Sequence, residues 1–140
     1  MFQGTSLLVL DEKGRLSVPK RHRAPLVGAE GSPVTVTRHP DGCLVLYPES
    51  VWSRKRSELV GLPYGARAFV RYVLGSAVDV KLDRAGRLLV PADLRELMGI
   101  THEVALVGVG AHLELWDRAR FEEAEREAVE QGFSAADFSF

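Results

Sequence analysis

Leu10-Asp11-Glu12-Lys13-Gly14-Arg15-Leu16-Ser17-Val18-Pro19 returns seventy-two positions later as Leu82-Asp83-Arg84-Ala85-Gly86-Arg87-Leu88-Leu89-Val90-Pro91. The match runs on to Arg23 and Arg95, and over residues 10–23 eight of fourteen positions are identical. Chance is a poor source of such agreement at one spacing, so the chain is read first as an internal repeat. Downstream the spacing shortens slightly: Leu44-Val45-Leu46-Tyr47 pairs with Leu113-Glu114-Leu115-Trp116, and Trp52 with Phe121. Each half repeats one whole unit.

The unit reads as strand, tight turn, strand, short helix, hairpin and closing helix. Thr5–Leu10 is β-prone, Gly14 can take positive φ, and Arg15–Val18 alternates apolar and polar residues. Asp11 and Asp83 are read as turn formers together with Gly14 and Gly86, because an Asp carboxylate readily caps a turn. Pro19 suits the start of a helix, where its missing N–H costs nothing. Pro25 removes a bond to the Arg21 carbonyl, so that helix is expected to be short or kinked, whereas Ala92–Met98 can complete two turns.

Val34–Thr37 and Gly42–Tyr47 form a hairpin around His39-Pro40-Asp41-Gly42, and Val104–Val109 with His112–Trp116 repeats it. Gly108-Val109-Gly110 is read as the turn of that second hairpin. Pro48–Val60 and Tyr64–Leu74 read as helices linking the copies. Arg118–Gln131, stopped by Gly132, has Phe121, Ala124, Ala128 and Val129 on one side and mostly acids elsewhere, the pattern of an amphipathic helix. Tyr47, Trp52, Trp116 and Phe121 recur at equivalent positions and read as paired core aromatics.

Units this small bury only about 60% of their unfolded surface and are marginal alone, so the copies are expected to share one core. The expected class is α+β: two tandem β units with short helices in a pseudo-symmetric, barrel-like domain. The expected boundaries are 1–60 for the first unit, 61–75 for a linking helix, 76–132 for the second unit and 133–140 for a tail.

Several functions find no support. The chain has no run of about eighteen apolar residues able to span a bilayer, and its start lacks the basic region of a signal peptide, so a cytoplasmic location without membrane is expected. No nucleophile elbow, phosphate loop or dinucleotide fingerprint occurs, which argues against an enzyme, a cofactor and a small-molecule substrate. His39 with Cys43, or His102 with His112, makes a weak case for a metal against the usual ligand sets. Lone Cys43 is read as packing.

Net charge is −1, yet it is unevenly spread: residues 1–23 carry +3 and residues 117–140 carry −4. Lys20, Arg21 and Arg23 occupy a first helical turn, where cations oppose the macrodipole. Stability alone would not select them there. Bare N–H groups at a helix start, with Lys13 and Arg15 close in sequence, suit a repeating phosphate backbone.

The chain resembles the MraZ family, which is similar to the swapped-hairpin AbrB class of bacterial regulators. The resemblance rests on Phe2, Gly4, Asp11, Lys13, Gly14, Arg15 and Pro19 in the first copy. In the second it rests on Leu74, Gly75, Ala77, Asp83, Gly86, Arg87, Pro91, Val107, Gly108, Glu114 and Trp116. It implies two AbrB-like swapped-hairpin units and a DNA-binding repressor of the division and cell-wall gene cluster that begins with its own gene. It also implies binding to tandem promoter repeats in double-stranded DNA, a homo-oligomeric ring and nucleoid association. By position, DNA contact falls first to Arg15, then to Lys13, Lys20, Arg21 and Arg23, with Arg87 and Arg95 as the second copy's counterparts. The second copy has Ala85, Ala92 and Asp93 where the first has Lys13, Lys20 and Arg21, so the first is expected to face DNA and the second to build the subunit. The alternative is an AbrB-like antitoxin or other interaction module, which usually carries one copy and a disordered tail.

Overall fold

The computed structural model describes residues 1–140. The first half runs β1 (Phe2–Val9), β2 (Arg15–Ser17), α1 (Lys20–Val27), β3 (Val34–His39), β4 (Cys43–Tyr47) and α2 (Glu49–Val60). A 3-10 turn at Tyr64–Ala66 leads into α3 (Arg67–Leu74). The second half repeats the order as β5 (Val78–Val80), β6 (Arg87–Leu89), α4 (Ala92–Leu97), β7 (Glu103–Gly110), β8 (Leu113–Asp117) and α5 (Arg118–Gln131).

The strands do not pair within their own halves alone. The large sheet has the order β1-β7-β8-β4-β3-β5, and β2 and β6 form a separate pair. Every pairing is antiparallel. β1 therefore lies on the hairpin of the second half, while β5 lies on the hairpin of the first. The order is unchanged when the halves are exchanged, and equivalent residues meet on that pseudo-axis: Leu16 faces Leu88 and Val45 faces Glu114.

The fold is thus α+β, but the expected barrel-like closure is not present. β1 and β5 are free edges of an open sheet. Closure fails because β5 gives only three residues to β3, and β2 and β6 pair with each other instead of bridging the edges.

One apolar cluster of eighteen buried residues joins the halves, from Leu10, Leu16, Val18 and Leu26 to Leu88, Val90, Leu94 and Leu115. Full burial of each such side chain contributes about 1.5–3 kcal/mol, and neither half holds enough of them by itself. Smaller clusters lie under the closing helices. Tyr47 meets Trp52 at 5.5 Å, and their equivalents Trp116 and Phe121 meet at 5.8 Å.

Two local expectations change. α1 continues through Pro25 to eight residues, while α4 has six and gives way to Gly99 at φ +64°. One lost backbone bond is tolerated because α1 ends two residues later, its final N–H at Gly28 reaching Ala24 O at 2.8 Å. Gly108 is not a turn residue either. It lies within β7 opposite Gly4, where a Cβ would run into the backbone of Phe2 and Gln3. Its missing side chain lets β1 pair closely. No helix is long and apolar enough to cross a membrane.

Candidate nucleic-acid interface

The repeated turn is built around its aspartate. Asp11 Oδ1 accepts the N–H groups of Lys13 (3.0 Å) and Arg15 (2.9 Å), and Oδ2 accepts Arg15 Nε at 2.6 Å. Asp83 does the same with Ala85 N–H (2.9 Å), Arg87 N–H (2.9 Å) and Arg87 Nε (2.8 Å). The backbone N–H of Arg15 or Arg87 is the main reason each carboxyl titrates below its usual range, and the arginine side chain adds to it. Arg15 and Arg87 are therefore each held by one edge of the guanidinium, through Nε.

Gly14 and Gly86 supply the positive φ of these turns, +81° and +78°. Their carbonyls bind across the pseudo-axis. Val18 N–H donates to Gly86 O at 3.0 Å, and Val90 N–H to Gly14 O at 3.1 Å. Together with the pairing of Arg15–Ser17 against Arg87–Leu89, this locks the two turns side by side.

Arg23 and Arg95 complete the exchange. Arg23 Nε donates to Val18 O (2.8 Å) while its guanidinium lies where a Cβ of Gly86 would stand. Arg95 Nε donates to Val90 O (3.1 Å) and covers Gly14 in the same way. Each helix thus packs on the turn of the opposite copy. The cations clustered in sequence are consequently divided: α1, with Lys20, Arg21 and Arg23, sits beside the second turn, whereas Lys13 and Arg15 sit beside α4.

This arrangement changes the charge pattern expected for each face. α1 contains no acid, and its start has no side-chain cap because Pro19 precedes it. Lys20 and Arg21 are exposed, and Arg21 Nη2 donates to Ser6 Oγ on β1 at 2.9 Å. Next to it, Arg23, Val27, Asp83, Arg84 and Gly86 line an open cleft of about 280 Å³. Arg84 was not among the expected contacts, although it stands where the first copy has Glu12. A comparison of turn charges alone would have found it. Beside the first turn, α4 instead offers Asp93 and Glu96 with Arg95.

The other candidates lie apart. Cys43 is fully buried, and burial pushes its thiol far up. His39 Nδ1 accepts Asp41 N–H at 3.0 Å in the hairpin turn. His22 is buried in α1 against Phe2, 5.6 Å between ring centroids, and desolvation lowers its pKa, with Arg21 adding to the effect. Neither His39 and Cys43 nor His102 and His112 belongs to a group of three or more possible metal ligands.

Comparison with known proteins finds relatives of one class, described as transcriptional regulators. A protein of Bordetella pertussis (strain Tohama I) described as "Transcriptional regulator MraZ" is 48% identical over 132 residues, covering 94% of this chain and 93% of its own. Proteins of Delftia acidovorans and Ralstonia pickettii with the same description are each 49% identical, over 142 and 143 residues, with both chains fully covered. The family model described as "MraZ protein, putative antitoxin-like" matches residues 1–64 and 73–138. The chain belongs to the MraZ family.

Proposed function

We propose that the protein regulates transcription by binding double-stranded DNA through the two adjacent turns and α1. The observation that carries this reading is the juxtaposition of the acid-free, uncapped start of α1 with the arginines of the opposite turn. Lys20 and Arg21 are exposed at a helix N-terminus, Arg84 and Arg87 lie on the turn that Arg23 covers, and Lys13 and Arg15 extend the face on the other side of the pseudo-axis. Arg23 and Arg95 contribute by holding the turns, with their outer guanidinium nitrogens available to phosphate. Phosphate contacts from such a face position the protein, and side chains reaching base edges specify the site.

The resemblance of the repeated motif to its family supports the finer reading. In it the protein is a cytoplasmic, nucleoid-associated repressor of the division and cell-wall gene cluster that includes its own gene. It binds tandem promoter repeats as a homo-oligomeric ring, whose spacing turns weak single contacts into tight binding through effective concentration. Because α1 of the first copy rests on the turn of the second, both copies contribute to the DNA face. Footprinting on the DNA upstream of the protein's own gene tests the proposal: protection of short tandem repeats is expected, and uniform protection at every concentration would overturn sequence-specific binding.

A further inference from the structure

Each unit carries a groove between its hairpin and its closing helix, and the two grooves use equivalent positions. The first, about 440 Å³, is lined by Arg38, Tyr47, Trp52, Lys55, Glu58 and Leu59. The second, about 480 Å³, is lined by Val107, Trp116, Phe121, Ala124, Glu127 and Ala128, each sixty-nine positions further along. Their surroundings differ. Phe69 and Val73 of α3 reach over the first groove, and Val73 is buried with Tyr47, Trp52 and Leu59. The second is lined only from the β3–β4 turn, β7, β8 and α5. Where α2 fills its groove with Lys55 and Leu59, α5 has two alanines, which leaves space beside Trp116 and Phe121.

The repeat also indicates what covers that space. The same sixty-nine-residue offset carries Tyr64 onto Phe133 and Phe69 onto Phe138, so the segment after α5 corresponds in sequence to the roof of the first groove. Phe133 and Phe138 are 74% and 65% exposed, and Phe138 meets Phe140 edge to face, 4.8 Å between ring centroids. Exposed phenyl rings on the same chain and an aromatic groove with an alanine floor are complementary, since seating them removes apolar surface from water. The reach is sufficient. Gln131 itself lines the groove, and the seven residues from there to Phe138 span up to about 24 Å extended, against about 15 Å of α5 between Phe121 and Gln131. Asp41, Glu114, Glu125 and Glu127 rim the groove, so Asp137 must remain outside it.

We propose that Phe133–Phe140 is a strap that seats Phe138 against Trp116 and the alanine floor of its own chain's second groove, as α3 covers the first. The structure shows the strap in its open position. Salt screens the repulsion between Asp137 and the acidic rim and favours the closed one.

The test uses the full chain with Trp52→Phe, leaving Trp116 as the single tryptophan, labelled as 5-fluorotryptophan. Phe138→Ser is expected to move the fluorine resonance. Ala128→Phe, which fills the groove, is expected to move it too, and Phe138→Ser to add nothing in that background. Hydrogen exchange on the unlabelled chain gives an independent readout: residues 121–131 exchange faster in Phe138→Ser than in wild type. A resonance and an exchange pattern indifferent to Phe138→Ser would overturn the strap. Recovery of the wild-type resonance on mixing labelled Phe138→Ser chains with unlabelled wild-type chains would also overturn it, because the tail would then act between copies.

Discussion

The Arg23 guanidinium occupies the space that a Cβ on Gly86 would take, and its Nε donates to Val18 O at 2.8 Å. Gly86 therefore has two reasons to be glycine: its φ of +78° and its covering arginine. Gly31, at φ +67°, has nothing within 4 Å of the missing Cβ. Gly31→Ala is expected to cost about 1 kcal/mol, the ordinary cost of a left-handed residue. Gly86→Ala should cost about 2–4 kcal/mol, because displacing a packed side chain adds to that strain. Urea unfolding of both variants checks this, and equal losses would mean that Arg23 moves aside freely.

Arg23 and Arg21 should separate stability from binding. Arg23→Ala removes a half-buried hydrogen bond that ties α1 to the base of β2, and a loss of about 1 kcal/mol is expected alongside weaker DNA binding. Arg21→Ala and Arg84→Ala remove exposed cations. They should leave the unfolding midpoint unchanged and weaken DNA binding by about tenfold each. Gel shifts and thermal melts on the three variants distinguish these cases, and wild-type affinity in Arg84→Ala would remove the second turn from the DNA face.

Acid should loosen the turns. The carboxyls of Asp11 and Asp83 titrate below their usual range in the folded protein, so the unfolded chain takes up their protons first as pH falls. Their contribution is complete above the unfolded value of about 4 and disappears as pH drops through the lower folded value. Asp83→Asn should flatten the fall in stability below pH 4. Urea midpoints between pH 5 and pH 2.5 provide the measurement, and an unchanged slope would show that the turn does not depend on carboxylate charge.

The histidines act at higher pH. Burial lowers the pKa of His22 and of His112, whose Nε2 and Nδ1 atoms respectively have no hydrogen-bond partner. For a base this depression means that the unfolded state binds the proton first, so stability falls as pH drops below about 6.5. His22→Leu should remove part of that dependence between pH 7.5 and pH 5.5, and a curve identical to wild type would place the titration elsewhere.

Much of this architecture was legible because it is local. Strand alternation, the Pro-Asp-Gly hairpin and the amphipathic period of Arg118–Gln131 depend on neighbours within a few residues, and α5 has those bounds. The repeat further implied a pseudo-symmetric body. The sequence could not show which copy each strand joins: β1 suits either hairpin by pattern, and Gly108 permits its close approach to β7 only through a three-dimensional contact. That exchange carries α1 to the opposite turn. It explains why Lys13 and Arg15, adjacent in sequence to Lys20, Arg21 and Arg23, lie on the other side of the pseudo-axis from them, and why Arg84 matters to the proposed face.

The number of DNA repeats engaged should be readable from salt dependence. One subunit presents few exposed cations on this face, chiefly Lys13, Lys20, Arg21 and Arg84 with the outer edges of Arg15 and Arg87, so a single site cannot support tight binding. Each phosphate neutralised adds about −0.9 to the slope of log affinity against log salt. An assembly holding several repeats should show the summed slope of its subunits, with affinity raised by the effective concentration of neighbouring sites. Fluorescent duplexes carrying one, two or three repeats, titrated at several salt concentrations, should give slopes and affinities that rise with repeat number, while a scrambled duplex stays weak. Arg21→Ala should lower the three-repeat slope by about three times its effect on one repeat, because every engaged subunit loses the same contact. If one repeat and three gave the same slope and affinity, binding would be the work of a single subunit and assembly would have no part in recognition.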